Sequence, residues 1–185
     1  MTTDDHRAAA TTGDDPLGVL FVQLAEGRLE ALDAVWRLAA DELYGLALWR
    51  TRSTADAEDA VQEVFVRLAR RGTNLSRVRD PKAYLLRMAR NAAVDIASRR
   101  RHEPLDESIP PLVEIDTVES RVDARRASAL VGDLPVGQRE VIFLKEFAGL
   151  TFRQIAEVCG VPLFTAASRH RLAIKRLRQL MGVER

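Results

Sequence analysis

Apolar residues fall at helical spacing along nearly the whole chain. Leu32, Val35, Trp36, Ala39, Leu43, Leu46 and Ala47 recur at steps of three and four, which places them on one stripe of a helix. The polar break Thr51-Arg52-Ser53-Thr54 offers hydroxyls for an N-cap. The helix after it buries Ala57, Val61, Val64, Phe65 and Leu68, and Gly72-Thr73-Asn74 ends it. Asp80-Pro81 is the next start signal, since Asp caps a helix and Pro fits its first turn, where no N–H is needed. Leu85, Met88, Ala89, Ala92 and Ile96 form the following stripe, which runs into Arg99-Arg100-Arg101.

The pattern resumes after an interruption. A helix over Val122 to Asp133 is broken by Leu134-Pro135, and another covers Gly137 to Ala148. Thr151 caps a short helix carrying Ile155, Ala156 and Val158. Gly160 makes a turn, and a long basic helix runs from Leu163 to about Met181. No strand alternation and no repeat interrupts these helices.

The interruption has a distinct composition. Residues 103–120 hold Glu103, Asp106, Glu107, Glu114, Asp116 and Glu119 with no Lys or Arg, together with Pro104, Pro110 and Pro111. Like charge and proline oppose a packed helix and favour an extended linker. The expected fold is therefore all-α, with two small helical domains joined by an acidic flexible linker. Residues 1–16 are expected to be a disordered tail, 17–102 the first domain, 103–120 the linker and 121–185 a helix–turn–helix domain.

Composition adds mainly exclusions. Hydrophobic residues make up 46% of the chain, enough for a packed core, and the scarcity of aromatics suits helices. Cys159 stands alone, so an intramolecular disulfide and a cysteine-built metal site are ruled out, and a small buried core residue is expected. The acidic start does not resemble a signal peptide, and no apolar run is long enough to span a bilayer, so a soluble cytoplasmic protein without membrane insertion is expected. There is no phosphate-cradling glycine loop and no nucleophile elbow. His6, His102 and His170 lie far apart, so surface histidines are expected rather than metal ligands. These readings point to no enzyme, no cofactor and no metal.

A formal net charge of +1 hides an uneven distribution. Between residues 67 and 101, eleven bases (Arg67, Arg70, Arg71, Arg77, Arg79, Lys82, Arg87, Arg90, Arg99, Arg100 and Arg101) face only Asp80 and Asp95. Such an excess fits a polyanion, although a solvated basic face has the same composition. Tyr84 and Asn91 lie among the bases, and a ring and an amide suit an unpaired nucleobase. In the last helix, Thr165, Ser168, Arg169 and Arg171 precede Lys175, Arg176 and Arg178. Leading residues of a recognition helix reach base edges, and later bases hold phosphates. An ordinary helical hairpin with a basic face is the bland counterpart. Asp59, Gln62 and Glu63 share a polar face opposite an apolar one, which is either a docking surface or a solubilising one.

Taken in order, these parts resemble the extracytoplasmic-function (ECF) sigma factors of the sigma-70 family. The residues that carry the resemblance are the D-x-x-Q-E run from Asp59 to Glu63, AYLLRMARNAAVDIASRRR, the acidic linker, and LPVGQREVIFLKEFAGLTFRQIAEVCGV with the basic helix behind it. It covers about residues 25 to 182. The resemblance implies a non-catalytic subunit that directs core RNA polymerase to promoters. Its first domain would be sigma region 2, with Asp59, Gln62 and Glu63 on the β′ clamp helices. Asn74, Lys82, Tyr84, Arg87, Arg90, Asn91, Arg99 and Arg100 would meet −10 DNA, with a flipped base held by the loop before Pro81. Region 4 would bind the β flap and read the −35 element through Thr165, Ser168, Arg169, Arg171 and Lys175. An anti-sigma factor is a further implied partner.

The chain departs from the family pattern in places. Tyr84 replaces a frequent Trp, and Pro162 and Phe164 stand where Ser and Gly are usual. Ala167, His170 and Leu172 also replace residue types common in that helix. A stand-alone helix–turn–helix regulator is the alternative, but it leaves the Asp59-Gln62-Glu63 face and the tyrosine-bearing basic helix without a task. A helical adaptor that binds only proteins is a third possibility.

Overall fold

The computed structural model describes residues 15–99 and 130–182. In the first lobe, α1 (Pro16–Ala25), α2 (Ala31–Thr51), α3 (Thr54–Arg71) and α4 (Pro81–Arg99) pack together, with a 3-10 turn at Gly72–Arg77 between the last two. In the second lobe, α5 (Val136–Ile142) continues into a π-helical turn at Phe143–Phe147, followed by α6 (Phe152–Cys159) and α7 (Leu163–Leu180). No strand occurs among the described residues. The tail before residue 15 and the acidic linker lie outside them, as does most of the helix expected at 122–133, of which residues 130–132 are helical.

Local chemistry sets the helix boundaries. The Ser53 hydroxyl accepts from the Asp56 N–H at 3.2 Å, so the polar break does cap α3. Asp80 Oδ1 accepts from the Ala83 N–H at 2.9 Å, and Pro81 opens α4 where its missing donor costs nothing. Thr151 and Gln154 form a reciprocal capping box at the start of α6. That helix ends on Gly160, whose φ of 65° lies in the left-handed region that a side chain would strain.

The first core lies where α2, α3 and α4 meet. Val35, Leu43, Leu46, Val61, Val64, Leu68, Leu85, Leu86 and Ala89 are buried there. A second seam is built from small residues: Ala47, Ala57, Ala60, Ala92 and Ala93 pack with Leu48 and let the helices approach closely. Trp36 and Phe65 belong to the predicted stripes but lie at their edge. Trp36 is largely exposed, and its ring meets Phe65 at 4.7 Å between centroids. The second lobe buries Val141, Leu144, Ile155, Val158 and Ala173.

The two lobes share one continuous apolar core. Trp49, at the end of α2, is buried against Phe143 and Phe147, with ring centroids 5.4 and 5.1 Å away. The π-helical turn, closed by the Ala148 N–H on the Phe143 carbonyl, stacks those two phenylalanines. Leu46 is fully buried, whereas Leu38 on the same helix is 53% exposed. Leu46→Ala should lower the unfolding free energy by about 3 kcal/mol and Leu38→Ala by less than ~0.5 kcal/mol, as measured by urea denaturation followed by circular dichroism.

Candidate functional site

Three surfaces gather the chemistry-bearing residues. The first is a cleft of about 390 Å³ between α3 and α4, lined by Asp59, Gln62, Glu63, Val66, Arg67, Asp95, Ile96 and Arg99. Of the acidic residues in α3, Asp59 and Glu63 line this cleft. Glu63 pairs with Arg67 one turn on, at 2.7 Å, so Asp59 and Gln62 are the more exposed polar groups. Arg99, expected beside DNA, sits here with Asp59, Gln62 and Glu63. Arg100 lies outside the described residues.

The second surface is a pocket of about 310 Å³ at the start of α4. Asn74, Arg77, Val78, Arg79, Asp80, Ala83, Tyr84 and Arg87 line it from the first lobe, and Glu157 and Val158 line it from the second. The Tyr84 ring packs edge-on against Phe21, 6.0 Å between centroids, and Arg87 lies 5.8 Å from its face. A ring fixed on one side by Phe21 and flanked by cations suits a flat, electron-rich, negatively charged ligand such as an unpaired nucleotide. Asn74, Tyr84 and Arg87 are therefore brought together as the sequence pattern predicts. Arg77 and Arg79 join them; the basic run signalled them, but nothing distinguished them from the other arginines in it. Asn91 is exposed further along α4. Lys82 is not part of the group. It points to the other side of α4, into a groove shared with α1 and α2, and pairs with Glu42 at 2.9 Å.

Arg90 lies at the junction of the lobes instead of on an open face. Glu140 of α5 is completely buried, and its Oε1 sits 2.9 Å from Arg50 and 3.2 Å from Arg90. Its neighbour Arg139 is also buried. It donates to the Trp49 carbonyl across the junction and to the Gly132 and Leu134 carbonyls within its own lobe. Burial, and then the charges of Arg52 and Arg50, lowers the Arg139 pKa from the ordinary arginine value, while Glu140 opposes that change. Gln154 donates to Asp80 Oδ2 at 2.7 Å, a third link between the lobes.

The third surface is α7. Arg171 and Lys175 are exposed on it, and Thr165 and Ser168 are half-buried. Arg169 turns back, and its guanidinium lies against Gly137, where an added Cβ would come within 3.1 Å of it. His170 contacts Glu146 at 2.7 Å and the Phe152 ring, so it braces α7 against the preceding turn. Phe164, the second residue of the helix, is 76% exposed. In the sequence Phe164 stands out only as a departure from a glycine pattern, although a large apolar residue opening a polar helix is itself a signal.

Among the described residues no cluster of His, Cys, Asp or Glu is arranged to hold a metal, and no helix is long and apolar enough to cross a membrane. Cys159 is buried, and burial pushes its thiol up to about 11, with Glu140 acting in the same direction. Native protein at pH 8 should thus react with iodoacetamide at least about tenfold more slowly than the urea-unfolded chain, by mass spectrometry of Cys159; equal rates would contradict the buried placement.

Comparisons with known proteins agree with this division. A family model described as Sigma-70 region 2 matches residues 36–103, and one described as Sigma-70, region 4 matches residues 124–177. The chain is 30% identical over 176 residues to the ECF RNA polymerase sigma factor SigK of Mycobacterium sp. (strain KMS), covering 90% of this chain and 91% of that protein. It is 31% identical over 148 residues to the ECF RNA polymerase sigma factor RpoE of Cereibacter sphaeroides, covering 77% and 82%. Among solved structures, the sigma factor RpoE in complex with the anti-sigma factor NepR from Bartonella quintana matches in fold with a TM-score of 0.70, at 22% identity, over 83% of this chain and 98% of that one.

Proposed function

Because the chain belongs to the ECF sigma factors of the sigma-70 family, we propose that it binds core RNA polymerase in the cytoplasm and directs it to specific promoters, the polymerase performing the chemistry. The observation that carries this reading is that one relative of the same class spans nine-tenths of the chain, so both lobes are included in the likeness. A stand-alone regulator would need only the second lobe.

In this reading the cleft bearing Asp59, Gln62 and Glu63 docks on the β′ clamp helices and the second lobe docks on the β flap. The pocket around Tyr84 and Arg87 takes a base flipped from the non-template strand of the −10 element, with Asn74, Arg77 and Arg79 around it. Unstacking a base costs a few kcal/mol, and a fixed ring and nearby cations are the groups that offset it. Asn91 supplies a further contact along the helix, whereas Lys82 and Arg90 are held by Glu42 and Glu140. Thr165, Ser168, Arg171 and Lys175 face the −35 element, with Phe164 added at the leading edge, while Arg169 lies back against Gly137. A phenyl ring there has one good partner in a major groove, the 5-methyl group of thymine. An anti-sigma factor of the kind bound to the Bartonella quintana relative is the expected regulatory partner.

The direct test mixes the protein with core polymerase and a promoter library and reads specific run-off transcription; absence of core binding would sink the sigma reading. Gln62→Ala with Glu63→Ala should weaken core binding while leaving second-lobe DNA contacts intact. Arg171→Ala should do the reverse, and equal loss of both in either variant would mean unfolding. For Phe164, thymines of the selected −35 element are replaced one at a time by deoxyuracil, which removes only the methyl. One position should lose about fivefold in affinity with the wild type and none with Phe164→Ala; no sensitive position would exclude the methyl contact.

A further inference from the structure

The last helix is held by little apolar surface. Its buried residues are Ala166 and Ala173, with Ile174 and Leu177 partly buried beside them. Two alanines let a helix approach closely but barely fix its roll, because each presents a single methyl group. Arg169 and His170 lie three and four residues after Ala166, and four and three before Ala173. They therefore flank the buried stripe, one on each side. Phe164, Ser168, Arg171 and Lys175, at steps of four, three and four, lie on the opposite face. A rotation of α7 about its axis would change which of those four points outward.

Each flanking side chain has its own contact inside the second lobe. Arg169 lies over Gly137 of α5, and a Cβ added there would come within 3.1 Å of Nη1 and 3.2 Å of Cζ. Gly137 is not among the glycines with positive φ, so its backbone does not require glycine. Glycine weakens a helix relative to alanine, and the close approach of the guanidinium is what the missing side chain permits. Arg169 has no ion pair among the described residues, so packing seats it. Burial and Glu140 raise the Cys159 thiol to about 11, and Arg169 is among the cations that oppose the rise, which sets its charge on the core side of α7. On the other flank, His170 Nε2 contacts Glu146 Oε1 at 2.7 Å, and its ring meets Phe152 edge-on at 5.4 Å. A carboxylate only accepts, so the imidazole donates. Lys145 lies 5.1 Å from the centre of the same phenyl ring.

We propose that Arg169 and His170 are positioning residues for −35 recognition: Arg169 is a spacer seated on Gly137, His170 is a tie to Glu146, and together they set the roll of α7 without touching DNA. The consequence for recognition rests on reading α7 as the −35 helix, whereas the two contacts do not. The spacer is steric, so a side chain at position 137 lifts that edge of the helix, while a shorter chain at 169 is tolerated. The tie is directional, since it needs a donor at 170. Both act on selectivity by fixing where Phe164 and Ser168 point. Arg171 and Lys175 are the cations that meet phosphate, and each phosphate contact adds about 0.9 to the slope of log affinity against log salt.

The contacts are tested on the free full chain by urea midpoints. Gly137→Ala should lower the midpoint in the wild type but raise it beside Arg169→Met, whose side chain ends at the place of Nε, 3.4 Å from the added Cβ. The same sign in both backgrounds would overturn the spacer. Recognition is read with the holoenzyme, as the ratio of run-off from a promoter with the selected −35 element to run-off from one with that element scrambled. Gly137→Ala should lower this ratio about fivefold, and Gly137→Ala with Arg169→Met should restore it. His170→Leu should lower it about fivefold, and His170→Gln, which keeps a donor near the place of Nε2, should not. A lowered urea midpoint in His170→Leu with an unchanged ratio would make the tie merely structural and overturn its positioning role. Arg171→Met should reduce the salt slope of promoter binding by about one, and Arg169→Met should leave it unchanged. An equal reduction in both would put Arg169 on a phosphate and overturn the proposal. If the midpoints reverse as stated and the wild type gives no run-off with core polymerase, the sigma reading falls and the spacer stands.

Discussion

Two adjacent buried charges of opposite sign organise this structure. Arg139 and Glu140 are consecutive on α5, and both are out of water at the seam between the lobes. Neither could remain there alone, because an unpaired buried charge costs several kcal/mol. Arg139 meets that cost with three backbone carbonyls, one of them from α2 in the other lobe. Glu140 meets it with two arginines from α2 and α4. The position of the second lobe follows from these requirements and from the Trp49 ring seated between Phe143 and Phe147.

The same arrangement decides what the first lobe can present. Tyr84, Arg87, Asn74, Arg77 and Arg79 form a pocket that two second-lobe residues partly wall off. The cleft that carries Asp59, Gln62 and Glu63 lies between α3 and α4 and is lined by first-lobe residues alone.

Much of the local architecture was legible in the chain because its causes are local. Asp80 caps α4, Ser53 caps α3, Thr151 caps α6 and Gly160 turns the chain, each through contacts a few residues away. The stripes led by Leu43, Leu46, Val61 and Leu85 are buried as their spacing requires. Candidate site residues were legible as a set but not as groups. Arg99 and Lys82 read like their basic neighbours, yet one lines the α3–α4 cleft and the other pairs with Glu42 on the far side of α4. Helix phase separates them, and a run of arginines in sequence conceals that phase.

The sequence by itself determined the helices, their caps, the two-lobed division, and the chemistry each lobe carries, because periodicity, capping and composition act within a few turns of chain. Only the tertiary structure decided that the lobes dock, that Arg90 belongs to the junction, and that Arg169 folds back on Gly137 while Phe164 stands open. Arg50 and Glu140 are ninety residues apart, with an acidic linker between them. Nothing in either helix alone indicates the other, since the energy of a buried ion pair arises from desolvation and geometry that exist only once both helices have packed.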